Sequence, residues 1–154
     1  MPIEPKFNAG TIRARTDKFL EVVYKKQIER FQYLGEMCVK HAREIPAGPG
    51  FTDQTGNLRS SIGYVIFKNG VAIHSVFEQV KEGAEGVKMG QMLAEKVGAK
   101  YKQGICLVVT AGMNYAIYVE ATGRDVLTSA EILAKRELPK MIEELKSNIK
   151  KAMT

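Results

Sequence analysis

From Thr16 onward Leu20, Tyr24, Ile28, Phe31, Leu34, Cys38, Ala42 and Ile45 recur three or four residues apart. That spacing places them on one face of a helix, while Lys18, Glu21, Lys25, Glu29, Glu36 and Arg43 fall elsewhere. The pattern predicts an amphipathic helix of about eight turns, with Thr16 as N-cap and Asp17 in the first turn. Pro46 ends it, because it disfavours helical geometry at Ile45 and cannot donate the next backbone bond. Val22 and Val23 widen the apolar face towards a second surface. Residues 1–15, with two prolines, a glycine and little periodicity, read as an extended arm, and residues 16–154 as a single domain.

Beyond the first helix the period changes. Residues 46–56 (Pro-Ala-Gly-Pro-Gly-Phe-Thr-Asp-Gln-Thr-Gly) have the composition of a mobile loop. Ile62–Lys68 and Val71–Phe77 are β-branched and aromatic runs joined by Asn69-Gly70, a dipeptide suited to the left-handed dihedrals of a two-residue type I′ turn, and together they predict a hairpin. Residues 79–103 are charged and interrupted by glycine, with Val87, Met92, Leu93 and Val97 marking a short helix; they read as a flexible excursion between strands. The continuous apolar run Ile105–Thr110 fits a central strand pairing with the hairpin. Tyr115–Glu120 is compatible with a short helix or a strand. After the turn Thr122–Asp125, Thr128 or Ser129 caps a last helix whose apolar face runs Ile132, Leu133, Leu138, Ile142, Leu145, Ile149 and Met153, with a kink expected at Pro139. The expected architecture is α+β, with the long N-terminal helix and the C-terminal helix packed on one face of a small, mainly antiparallel β-sheet.

At 154 residues the chain is long enough to bury roughly two thirds of the surface of its unfolded form. Its 45% hydrophobic and 26% charged residues are those of an ordinary globular chain, and no run approaches the roughly 18 apolar residues of a membrane span. Neither a secretory signal nor a membrane partner is expected. Cys38 and Cys106 are isolated in apolar surroundings and read as buried free thiols. The net charge of +6 is spread thinly: residues 1–45 hold nine basic and six acidic side chains, 46–104 seven and five, 105–154 seven and six. The densest basic cluster, Lys146, Lys150 and Lys151, suits the end of a helix.

Enzyme chemistry finds no residue set. His41 and His74 have no Cys or carboxylate at metal-ligand spacing, and Ser60 and Ser61 have neither a Gly-x-Ser-x-Gly elbow nor a nearby His. Gly83, Gly86 and Gly90 match no phosphate-binding spacing and suggest flexibility. No catalytic residue, cofactor or metal is expected.

Two segments carry a different signal. Thr55-Gly56-Asn57-Leu58-Arg59-Ser60-Ser61-Ile62 is, on physical grounds, a helix start capped by Thr55 or Asn57. It also resembles the Thr-Gly-x-Leu-Arg-x-Ser-Ile element of the head-to-tail joining, or tail-completion, proteins of long-tailed bacteriophages and prophages, and matches it at every position. The second segment, Gly112–Glu120, is similar to that family's Tyr-Ala-x-Tyr-Val-Glu element in Tyr115, Ala116, Tyr118, Val119 and Glu120. It departs where the family continues with an aromatic or aliphatic residue, Gly and Thr, for here Ala121-Thr122-Gly123 follow.

The resemblance implies a structural virion protein, made in the bacterial host cytoplasm, that self-associates into a ring between the portal-side connector and the tail tube. Its candidate interface residues are Leu58, Arg59, Ser60, Ile62, Tyr115, Tyr118 and Glu120, with Arg59 and Glu120 as a charged pair that fixes the sheet or bridges subunits. Adhesion would come from apolar surface repeated head to tail, such as the outer face of the first helix with Val22 and Met37. Loop 46–56 and excursion 79–103 would order on meeting the connector or tube, and a mildly basic lumen would touch passing DNA only transiently. The alternative is a small basic nucleic-acid-binding protein, favoured by a pI near 9.3 and by Tyr64 and Phe67 on the candidate sheet, although Ile62, Val65, Ile66 and Val71 around them point to a core.

Overall fold

Asn69 and Gly70 adopt φ of 52° and 83°, the left-handed pair that a type I′ turn requires, and join β1 (Ile62–Lys68) to β2 (Val71–Phe77) as the sequence predicts. The structure, a computed structural model, describes residues 8–46 and 50–153. A third strand, β3 (Ile105–Ala111), pairs antiparallel with β1 on its other side, giving the order β2-β1-β3. The turn is tied to this strand as well: Asn69 N–H donates to the Gly104 carbonyl and Gly104 N–H to Asn69 Oδ1, both at 2.9 Å.

The helices are α1 (Ala9–Glu44), α2 (Asn57–Ser60), α3 (Ala84–Gly98), α4 (Ala116–Ala121) and α5 (Thr128–Met153). The architecture is α+β. β1 is buried on both faces: Ile62, Tyr64 and Ile66 lie in a cluster with Leu34 and Cys38 of α1, while Val65 and Phe67 join Ala94 of α3 and Val108 of β3. Burying a strand on both sides requires apolar residues at consecutive positions, which is how β1 reads.

Three readings of the sequence are corrected. First, α1 begins at Ala9, capped by Asn8 Oδ1, which accepts from Thr11 N–H at 2.8 Å; residues 9–15 are helical and not an extended arm, and the rest of that arm lies outside the described residues. Thr16 is an interior position whose hydroxyl donates to the Ile12 carbonyl. The extra turns were invisible because residues 9–22 are exposed throughout and show no buried period.

Second, residues 79–103 are the expected excursion between strands and hold the expected helix as α3, but they are packed and not flexible. Gly86, Gly90, Ala94 and Gly98 form a small-residue face on α3, all buried, and this face lets the helix lie against the sheet. A Cβ at Gly98 would sit 2.1 Å from the Phe67 ring, and one at Gly90 2.5 Å from both the Ser61 carbonyl and Phe77. Third, the described part of loop 46–56 is anchored, since Phe51 and Asp53 are 4% and 7% exposed; residues 47–49 lie outside the described residues.

The two long helices also divide their work unequally. α1 packs on β1 and β3, whereas α5 packs along α1 and, among the described residues, makes no comparable contact with a strand. Ala130, Ala134, Leu138 and Met141 supply its inward side, and the helix runs on through Pro139, which is exposed. Cys38 donates from Sγ to the Ala130 carbonyl at this crossing. Cys38 is buried and Cys106 half-buried, both as free thiols, and burial raises both above the ordinary thiol value.

On the far side of α1, Tyr64 links three elements. Its hydroxyl donates to Glu36 Oε1 at 2.8 Å and lies 3.1 Å from His74 Nε2. With its one proton given to Glu36, the oxygen accepts from His74, which fixes the tautomer with hydrogen on Nε2. Gly35 admits the ring beneath α1, where a Cβ would lie 2.7 Å from it.

Gly112→Ala should destabilise the fold by about 1–3 kcal/mol, because the new methyl would lie 2.4 Å from the Gly90 backbone; urea unfolding measures it, and a change within about 0.5 kcal/mol would contradict this packing. Tyr64 gives a pH prediction. Its hydroxyl is held well above the usual tyrosine value, first by burial and then by the hydrogen bond to Glu36 and its charge. The folded state therefore keeps a proton that the unfolded chain loses, so the stabilisation is complete below the ordinary value of 10.0 and declines as pH rises through it. Urea midpoints at increasing alkaline pH should fall more steeply for the native chain than for Tyr64→Phe.

Candidate functional site

The antiparallel pairing of β1 with β3 sets Ile62 opposite Ala111. The first motif segment leads into the start of β1 and the second leaves the end of β3, so two segments about fifty residues apart in the sequence meet at one end of the sheet. Gly112 N–H donates to the Ser61 carbonyl at 3.2 Å, which joins them directly. The C-terminus of α1 and the N-termini of α3 and α5 come to the same place.

Asp53, which the sequence reading did not single out, organises the first segment. Its Oδ1 accepts from Gly56 N–H at 3.0 Å and its Oδ2 from Arg59 N–H at 2.8 Å. Two of the free amides at the start of α2 are thereby satisfied by one carboxylate. Gly56 holds φ 81° with no side-chain cap of its own, and a Cβ there would lie 2.0 Å from the Val80 carbonyl. The main capping carboxylate thus stands before the expected caps, of which Thr55 does contribute, its Oγ1 accepting from Asn57 N–H at 3.3 Å. Asn57 instead reaches across to α3, where its Oδ1 accepts from Gly86 N–H at 3.2 Å.

Arg59 closes the other helix end. Its Nε donates to the Arg43 carbonyl at 3.3 Å and its Nη2 to the Ile45 carbonyl at 3.5 Å, while its guanidinium stands 4.7 Å above the Phe51 ring. A fixed cation on the last carbonyls of a helix suits their partial negative charge. Ser60 is fully buried and ties in the segment that follows β2, for its Oγ accepts from Val80 N–H at 2.7 Å and donates to the Val80 carbonyl at 3.2 Å. Lys81 Nζ adds a bond to the Asp53 carbonyl at 2.8 Å. Leu58 and Ile62 are 2% and 0% exposed.

In the second segment the alternative left open resolves as helix, α4, which starts at buried Ala116. Glu120 turns back on the start of α5: its Oε1 accepts from the N–H groups of Val126, Leu127 and Thr128. A carboxylate on several unpaired amides is the favoured arrangement at a helix N-terminus. Asp125 Oδ1 takes Ser129 N–H at 3.2 Å, and His41 bonds Ser129 Oγ at 2.8 Å.

Arg59 and Glu120 therefore have separate partners and, among the described residues, form no ion pair with each other. Of the seven candidate residues, Leu58, Ser60 and Ile62 are interior, Arg59 and Glu120 each close a helix end, and only Tyr115 and Tyr118 offer surface, at 37% and 71% exposed, with Ile117 between them at 72%. The Tyr115 hydroxyl is pushed above its ordinary value by burial first, and then by the carboxylates of Asp53 and Glu85. The site has the properties of a rigid joint with an aromatic and aliphatic surface beside it. Among the described residues no group of three or more His, Cys, Asp or Glu stands where it could hold a metal ion.

Comparison with protein-family models, with curated proteins and with solved structures gave no match to this chain.

The geometry separates support from surface. Glu120→Ala should destabilise the fold by about 1–2 kcal/mol, as loss of a helix cap does, whereas Tyr118→Ala should stay within about 0.5 kcal/mol. Chemical denaturation of both variants checks this; equal effects would contradict the division.

Proposed function

We propose that this chain is a structural component of a long-tailed phage or prophage virion, placed at the head-to-tail junction or tail end and acting by ring assembly and protein–protein contact. The observation that carries the reading is the pair of motif segments, in order, the first matched at every position and the second through Glu120 before it departs at Ala121-Thr122-Gly123, converging on one joint that closes α1, α2 and α5. A part that holds two long helices rigidly and leaves apolar side chains bare suits transmission of contacts between neighbouring rings. The bare side chains are Ile12, Phe19, Leu20 and Val22 on α1 and Ile117 and Tyr118 on α4. Exposed apolar patches of this kind mark interaction surfaces. The partners are further copies of the chain and the flanking connector and tail-tube proteins. Ordering of residues 79–103 on assembly is withdrawn from the mechanism, since α3 is already packed on the sheet.

The alternative of a nucleic-acid-binding protein is disfavoured by a specific observation. Tyr64 and Phe67, the candidate stacking residues, are 1% and 2% exposed, and α1 and α3 cover the two faces of β1 that carry them. Stacking platforms require exposed rings.

Deleting the gene from a phage that encodes it should yield DNA-filled heads and complete tails that fail to join, counted by electron microscopy, with joining restored by the chain supplied in trans. Normal numbers of joined, infectious particles in its absence would overturn the proposal.

A further inference from the structure

Both edges of the sheet are open, and in complementary ways. β2 and β3 are the edge strands, and their sequences, Val-Ala-Ile-His-Ser-Val-Phe and Ile-Cys-Leu-Val-Val-Thr-Ala, contain none of the lysines, prolines or carboxylates that blunt exposed edges against pairing. β2 carries a bulge opposite Ile66 and Phe67, so its regular stretch for pairing is His74–Phe77.

The helical layer is displaced sideways relative to this sheet. α1 covers β1 and β3, and among the described residues no helix packs comparably on the same face of β2. At the opposite edge α5 stands beside α1 and, among the described residues, makes no comparable contact with a strand. Between α5 and β3 runs a groove of about 590 Å³ lined by Leu34, Leu107, Val109, Ala130, Ala134 and Leu138. It is the space of a fourth strand. The far edge offers what the groove lacks: a strand with Val71 and Ile73 at 65% and 44% exposed and no helix of its own above it.

We infer that a second copy of this chain fills the groove, its β2 adding to β3 beneath α5, and that the contact repeats head to tail. β2 and β3 both run antiparallel to β1, hence parallel to each other; a copy that continues the sheet keeps this direction, so the new pairing is parallel. A two-fold β3-to-β3 pairing is excluded by the helices, because each α5 would fall on a partner strand that α1 already covers. A repeated heterologous contact closes as a ring when its rotation divides a full turn. The inference rests on the self-association in the reading above, and not on the virion location.

Two blocked chains test it. Ile73→Lys with Ser75→Lys puts two charges on the donor strand, the second at an exposed position inside its regular stretch, and Ala134→Glu puts a charge in the groove; circular dichroism checks that each is folded. In sedimentation the native chain should form species larger than dimers as concentration rises, each blocked chain alone should stay monomeric, and their equimolar mixture should give a one-to-one dimer, since one intact strand meets one intact groove. Absence of that dimer, self-association of the donor-blocked chain, or a native chain monomeric at its solubility limit would each overturn the inference. Should Ala134→Glu fail to fold, alkylation of Cys106, half-buried on the edge strand β3, decides: its rate should fall with concentration in the native chain, as an added strand covers that edge, and stay constant in the donor-blocked one, and equal behaviour in the two counts against strand addition. Failure of the virion reading would show separately, as joined particles formed without the chain.

Discussion

From Ile62 to Phe67 β1 has no exposed residue, and the whole arrangement follows from keeping that strand dry. One face needs α1 and the other needs α3, and each can approach only where small residues allow it: Gly35 beneath the Tyr64 ring on one side, Gly90 and Gly98 against Phe77 and Phe67 on the other. Interiors are packed too densely for these contacts to be loosened by even one methyl group without cost. The glycines are therefore packing residues, and their effect is to hold α3 in place.

Covering a strand in this way creates a second problem, because the covering helices must begin and end near the sheet, where unpaired backbone groups are shielded from water. Asp53 and the two motif segments answer it. Asp53 satisfies the start of α2, Arg59 the end of α1 and Glu120 the start of α5. Charged side chains suit this work because bonds to ionised groups are stronger than neutral ones. A motif of short polar elements can thus be strongly constrained by folding alone, and in this chain the surface contribution falls to the neighbouring Tyr115, Ile117 and Tyr118.

The joint leaves the two long helices free to extend past the sheet. About 54 Å of α1, at 1.5 Å per residue, is held mainly through its buried stretch Leu34–Ala42, and the first turns present apolar side chains to solvent. With an overhanging α5 and two unprotected strand edges, the chain carries more unfinished apolar surface than a solitary domain has reason to keep. That surplus is the feature on which the proposed assembly role rests.

Local chemistry in the sequence determined the elements. Asn69-Gly70 specified the hairpin because few residues tolerate paired left-handed dihedrals, Ile105–Thr110 declared a strand by its β-branched run, and the periods of three and four gave both long helices. Two kinds of information lay beyond local reach. Residues 9–15 carry no buried period, so only the Asn8 cap marks where the helix starts. The stripe Gly86, Gly90, Ala94 and Gly98 has helical spacing, but glycine is read locally as freedom, and its use for close approach appears only when Phe67 and Phe77 are placed against it. The convergence of the two motifs was likewise decided by tertiary structure, because antiparallel pairing of β1 with β3 is what sets Ile62 beside Ala111, and no local preference encodes which strands will meet.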